Sequence, residues 1–212
     1  MNIRRMLTAG AGAAAVLGPA TYLLFFRSRC LNWGAMPDEV AAKLPGDELL
    51  ADPGLVTTRA ITIDAPAGAI WPWLAQMGSG RGGAYSYDWI ENLLGLNMHS
   101  ASEVLPEYQD IKAGDELPVG GRGPVMRVEV ADPPRALAVR STDMNWVWMF
   151  TLLPEGDSTR LISRNRIATR ALNPASRLFY LLFMEPGSLV MERKMLLGIK
   201  HRAEHAEFDG DE

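Results

Sequence analysis

Residues 57–95 read TTRAITIDAPAGAIWPWLAQMGSGRGGAYSYDWIENLLG, and the order of elements they encode decides the fold. Ile61 and Ile63 alternate with Thr62 and Asp64, so Thr57 to Asp64 is predicted as a half-buried strand. Ala65-Pro66 comes next, and proline suits a first helical turn because its missing donor has no intrahelical partner there. Ala69, Ile70, Trp73, Leu74 and Met77 fall at helical spacing, with Pro72 early enough to be tolerated and Gly78 placed to cap the helix. Gly80, Gly82 and Gly83 then form a loop. Ser86 is read as the N-cap of a second helix whose apolar face is Trp89, Ile90, Leu93 and Leu94. Asp88 and Glu91 sit near the start of that helix, where its dipole favours negative charge.

Downstream of Gly95 the pattern is mostly that of strands. A short one is expected after Ala113-Gly114-Asp115, then Val125 to Val130, Arg135 to Arg140, Asn145 to Leu153 and Thr159 to Thr169. Trp146, Trp148 and Phe150 project to one side of the fourth of these and Val147 and Met149 to the other, which predicts cover on both faces. Arg160, Arg164 and Arg166 share a face that is expected to meet solvent. Asn173-Pro174 opens a helical region expected to break at Pro186-Gly187. Leu189 to Glu207 then carries Met191, Met195, Leu196, Ile199 and Ala203 inward.

Upstream, Met6 to Phe26 is an uncharged, largely apolar run long enough to cross a bilayer, bracketed by Arg4, Arg5, Arg27 and Arg29. A cleaved secretory signal is the alternative, for which Gly18-Pro19-Ala20 is a poor cleavage site. The chain therefore divides into a membrane anchor (1–30), a tether arm (31–55) with a short helix from Pro37 and Trp33 as a packing anchor, a folded domain (56–207) and an acidic tail (208–212). A single-pass place at the cell membrane is expected. Two arginines at each end leave the side open.

Composition narrows the partners. The 212 residues, 48% hydrophobic and 22% charged, provide for one domain and a terminal extra, and the net charge of -4 gives no basic field for nucleic acid. One cysteine, Cys30, excludes an internal disulfide framework. His201 and His205 lie four apart but lack the HExxH order, so no metal is expected. No cofactor is expected either, because the glycine loop follows a helix rather than a strand and lacks a Walker lysine.

A strand, two short helices, an antiparallel run and a long last helix, with Ile61 to Pro66 leading into Ile70-Trp71-Pro72-Trp73-Leu74, Gly80 to Trp89, and Thr159-Arg160-Leu161-Ile162, resemble the START-related SRPBCC superfamily. The match spans about Leu55 to Ala206. It implies an α+β helix-grip fold, a curved antiparallel sheet around the C-terminal helix with an apolar cavity between, here preceded by one transmembrane helix. That superfamily holds binders, carriers and enzymes, so no single reaction is implied. The first reading is membrane-tethered binding of an apolar small molecule, lipid or isoprenoid-like. Trp146, Trp148, Phe150 and Met195 would form its walls and Arg81, Tyr85 and Tyr87 its polar contacts. The second is a cyclase or dehydratase using Asp88, His99 or Glu107, and the third an interaction module without ligand. Leu178 to Met184, too short to span a bilayer, is either buried core or a gate to the cavity.

Overall fold

The computed structural model describes residues 21–120 and 125–205. Six strands, β1 (Leu55–Ile63), β2 (Glu116–Pro118), β3 (Val125–Asp132), β4 (Ala136–Ser141), β5 (Trp146–Glu155) and β6 (Ser158–Ile167), form one curved sheet in the order β1-β6-β5-β4-β3-β2. All neighbours are antiparallel. The strands from β2 to β6 succeed one another as a meander, and β1 closes against β6 with Leu55 opposite Ile167 and Ile63 opposite Thr159. A two-residue turn, Gly156-Asp157, joins β5 to β6, and Gly156 takes the φ of 64° that such a turn requires. A bulge between Val128 and Val130 bends β3.

The helices are α1 (Arg27–Leu31), α2 (Pro37–Ala41), α3 (Ala67–Ala75), α4 (Asp88–Leu93), α5 (Pro174–Phe179) and α6 (Glu185–His205). The expected break at Pro186-Gly187 does not occur. Proline is tolerated in the first turn of α6, and the irregular winding lies just upstream, where Tyr180–Met184 forms a π-helix between α5 and α6. The core lies between the inner sheet face and helices α3 and α6, with Ile63, Leu74, Phe150, Leu161, Leu196 and Ile199 all buried. Gly198 allows α6 to approach the loop before α4: a Cβ there would stand 2.4 Å from the Tyr85 carbonyl oxygen. Arg202, one turn on, lies over the Tyr85 ring at 4.7 Å and donates to the Ala101 carbonyl at 2.8 Å. These contacts hold the stretch between α3 and β2 to α6 at Tyr85 and at Ala101.

The outer sheet face corrects a sequence expectation. Arg160 and Arg164 are not solvated but 6% and 2% exposed, because residues 33–52 fold over them. Glu39 takes Arg160 in a two-pronged pair at 2.7 and 2.9 Å, and Asp47 accepts from Arg164 at 2.8 Å and Arg166 at 3.0 Å. Val147 and Met149 are buried on this same side with Ala138, against Leu49 and Leu50. The outer face is therefore covered by the chain's own preceding segment.

The expected single-pass placement is also corrected: among the described residues no helix is long and apolar enough to cross a membrane. Residues 6–20 of the expected span, and the acidic tail 208–212, lie outside the described residues. The described end of the span is used differently. Tyr22 donates to Glu185 at 3.0 Å, and Arg27, expected as an interfacial bracket, pairs with Glu185 at 2.9 and 2.8 Å. Both fasten the first helical segment to the start of α6.

Asp47 holds two arginines beneath the arm and also accepts from the Leu44 amide at 2.9 Å. Asp47→Ala strands both guanidinium groups and lowers stability by about 3 kcal/mol in urea unfolding; a loss below about 1 kcal/mol would show the arm to be loosely held. Arg160's hydrogen bonds hold the Glu39 carboxyl below its ordinary value. That contribution is complete above the ordinary carboxylate value and fades as pH falls through the depressed one.

Candidate functional site

Between the inner sheet face and α6 lies a cavity of two lobes, about 370 Å³ and about 340 Å³. They share one wall, formed by Ala84, Glu91, Trp146, Trp148, Met184 and Met191. The first lobe runs under the Tyr180–Met184 segment towards Leu55, Thr57, Asn165 and Ile167 at the end of β1 and β6. The second runs under α4 towards Met77, Leu117, Met126, Leu137 and Phe150.

Alternation along β5 builds the common wall. Trp146, Trp148 and Phe150 stand on its inner face as a ladder, the indoles stacked at 5.7 Å and Phe150 tilted against Trp148 at 4.9 Å. Each indole is pinned from the neighbouring strand. Trp146 Nε1 donates to Asn165 Oδ1 at 2.7 Å and Trp148 Nε1 to Ser163 Oγ at 2.9 Å. Ser163 and Asn165 donate in turn to Glu192 of α6, at 2.7 and 3.2 Å. Arg59, wholly buried on β1, completes the set by pairing with the same carboxylate. Burial pushes the Glu192 carboxyl upward while Arg59 and Ser163 pull it down. The net effect raises it, and donors reach both of its oxygens.

Glu91 is the exception to this self-satisfied lining. It is 6% exposed, its Oε1 accepts from Ser86 Oγ at 2.7 Å, and its Oε2 is buried without a partner among the described residues. Burial raises its carboxyl above the ordinary value, with Asp88 adding to the rise and Ser86 opposing it. Helix α4 is turned partly away from its predicted orientation: Trp89 and Leu93 are 69% and 80% exposed, Ile90 and Leu94 border the second lobe although Leu94 is 66% exposed, and Glu91 is buried beside them. Ser86 does not cap the helix, because its hydroxyl is committed to Glu91 and Tyr87 occupies the cap position.

The sequence-predicted site residues divide cleanly. Trp146, Trp148, Phe150 and Met195 line the cavity. Arg81, Tyr85 and Tyr87 do not. Arg81 donates to the Ala75 carbonyl at 3.0 Å and lies over the Tyr108 ring at 4.2 Å. Tyr85 donates to the Trp73 carbonyl at 3.0 Å, and Tyr87 sits 5.9 Å beneath Lys194. The expected convergence of Asp88, His99 and Glu107 on the cavity does not occur. Asp88 is spent on Ser100, accepting from its amide at 2.8 Å and its hydroxyl at 2.6 Å, and His99 and Glu107 are exposed on the surface. Sequence reasoning passed over Arg59, Ser163, Asn165 and Glu192; it placed Glu91 near the helix start and among the acidic groups that could converge at one end of the cavity, and of those it is the one that borders the cavity. The available signals were an arginine inside an apolar strand and a carboxylate one step along the helix from Ile90.

No family model matches the chain, and no curated protein matches it. Among solved structures it is similar to the KanY protein, with 16% identity and a TM-score of 0.48 over 71% of this chain and 97% of that one. A polyketide cyclase-like protein from Corynebacterium glutamicum gives 16% and 0.39 over 74% and 97%. CalC, a self-sacrificing resistance protein from Micromonospora echinospora, gives 12% and 0.43 over 70% and 94%. Likeness at this level says nothing of chemistry, which rests on the cavity's own residues.

Because the folded chain holds the Glu91 proton more tightly than the unfolded chain does, stability falls as pH rises from the unfolded value through the raised folded one. Glu91→Gln removes that slope. Unfolding free energies from urea titrations between about pH 4 and pH 8 should therefore diverge in favour of the variant, by about 1.4 kcal/mol for each unit of upward shift. Parallel curves would place Glu91 in a solvated setting.

Proposed function

We propose that this protein binds an apolar small molecule in the cavity beneath its C-terminal helix. The observation that carries the reading is the lining itself. Two joined lobes of about 370 and 340 Å³ fall in the usual range for ligand sites. Their walls are largely Trp, Met, Leu and Phe, and Asn165 and Glu192 are engaged with one another rather than turned to a guest. An apolar guest of lipid or isoprenoid character gains by leaving water for such a surface.

Access runs past Tyr180–Met184. Tyr180 and Met184 border the first lobe, while Phe179 and Phe183 of the same stretch stack on each other at 5.5 Å and are 53% and 64% exposed. A segment with apolar groups on both sides loses little when it swings outward, and its π-helical winding packs less regularly than an α-helix. This makes it the movable wall of the site. A cyclase or dehydratase reading through Asp88, His99 or Glu107 lacks a geometric basis, since none of the three borders the cavity.

The test is titration of the full chain with N-phenyl-1-naphthylamine, read by energy transfer from Trp146 and Trp148. Saturable binding at one site per chain is expected. Met191→Trp, which narrows the neck between the lobes, should weaken it by about tenfold or more, at unchanged thermal stability. Unchanged affinity in that variant would move the site to the exposed apolar surface.

A further inference from the structure

The wall Tyr180–Met184 belongs to a stretch with little to hold it. From Arg166 to Met184 no residue is buried, and segments without buried groups open at low free energy. Glu185, the first residue of α6, is the first buried one after them, at 4% exposure. Three donors grip its carboxylate, and all come from the first described helical segment. Tyr22 Oη donates at 3.0 Å, Arg27 Nε at 2.9 Å and Arg27 Nη2 at 2.8 Å. A two-pronged guanidinium contact fixes orientation as well as distance. The Glu185 carbonyl accepts from Cys30 Sγ at 3.2 Å and from Ser188 Oγ at 2.9 Å.

The same spot is joined to the cavity. Ser188, which borders the first lobe, accepts from Arg59 at 2.9 Å. Arg59 also holds the Cys30 carbonyl at 3.2 and 3.1 Å and pairs with Glu192, another residue of that lobe. Residues 22–31 are therefore tied to the start of α6 by the side chains of Tyr22 and Arg27 and to the cavity network by the backbone of Cys30. Met184 and Glu185 are consecutive, so the wall swings outward only if the backbone turns at Glu185. That turn draws a buried carboxylate off its donors, and a buried carboxylate without them is costly.

Building on the cavity-binding reading, we propose that residues 22–31 are a strap that governs guest exchange: Tyr22 and Arg27 hold Glu185, and with it the hinge of the Tyr180–Met184 wall, in the closed position. A guest enters and leaves through the open form, while the closed form dominates with or without it. Loosening the strap enlarges the open fraction, so association and dissociation speed up by the same factor and the affinity changes little while the closed form stays in excess. The coupling runs both ways. A guest that favours the closed wall holds the strap in place.

Stopped-flow mixing of N-phenyl-1-naphthylamine with the full chain tests the strap, in the wild type, Arg27→Gln and Arg29→Gln. Arg27→Gln should raise both rate constants by about tenfold or more and leave Kd within about threefold. Arg29→Gln, an exposed change in the same helix, should leave both rates as in the wild type. Hydrogen exchange of the unsubstituted protein gives a second reading that no variant's folding can spoil. Saturating probe should slow exchange in residues 22–31 and leave the arm, residues 37–50, unaffected. Wild-type rates in Arg27→Gln, an equal rise in Arg29→Gln, or an affinity loss carried by dissociation alone overturn the assignment. So does exchange in residues 22–31 that ignores the probe or slows no more than in the arm. If the probe does not bind the wild type, the cavity-binding reading fails and takes this one with it. Saturable binding with unaltered rates removes the strap alone.

Discussion

The cavity depends on one buried ion pair, Arg59 of β1 with Glu192 of α6. Arg59 is wholly buried and Glu192 is 7% exposed, so neither charge is tolerable without the other. Their union joins the edge strand to the gripping helix, and everything that shapes the inner wall is hung from it. Ser163 and Asn165 donate to Glu192 and so present fixed oxygens to the Trp148 and Trp146 indoles. The indoles therefore stand as a rigid wall rather than closing the space. On its other side Arg59 holds the Cys30 carbonyl and Ser188, which bring the first helical segment and the first turns of α6 into the same network. An apolar chamber is held open here by polar groups that are all spoken for.

A second layer of charge does related work on the opposite sheet face. Glu39 and Asp47 bury Arg160, Arg164 and Arg166 under residues 33–52, so the sheet is covered on both sides by the same chain. One face is packed by a segment and the other by a helix, and the two packings differ in kind. The outer one is filled to contact, with Met149, Val147 and Ala138 against Leu49 and Leu50. The inner one leaves room. That asymmetry puts the candidate site on the helix side.

Much of this was legible in the sequence, where period and punctuation carry the signal. The alternation of Trp146, Trp148 and Phe150 with Val147 and Met149 predicted a doubly covered strand, and the order of strand, two helices, antiparallel strands and last helix matches the α+β architecture with its six-stranded antiparallel sheet and long last helix. What escaped depends on long-range pairing. Arginines at alternate positions on β6 look the same whether water or an acidic arm faces them, and nothing local to Arg164 announces Asp47, 117 residues away. Helix α4 is only six residues long, too short for periodicity to tell its inner face from its outer one. The glycine-rich loop misled by its chemistry: Arg81 and Tyr85 are spent on carbonyls of α3, Tyr85 also lies under Arg202 of α6, and the group that borders the cavity is the less conspicuous Glu91.

Apolar guests, on this view of the molecule, are held inside the grip and not on the exposed surface of α5 and the π-helical turn. Photo-crosslinking with benzophenone on the full chain, followed by peptide mapping, distinguishes the two places, because the excited ketone attacks C–H bonds within contact distance. Adducts on Met191 and Met195, neither of them among the large apolar side chains left exposed, are the expected result. Adducts confined to Leu178, Phe179 and Phe183 on the surface would contradict it.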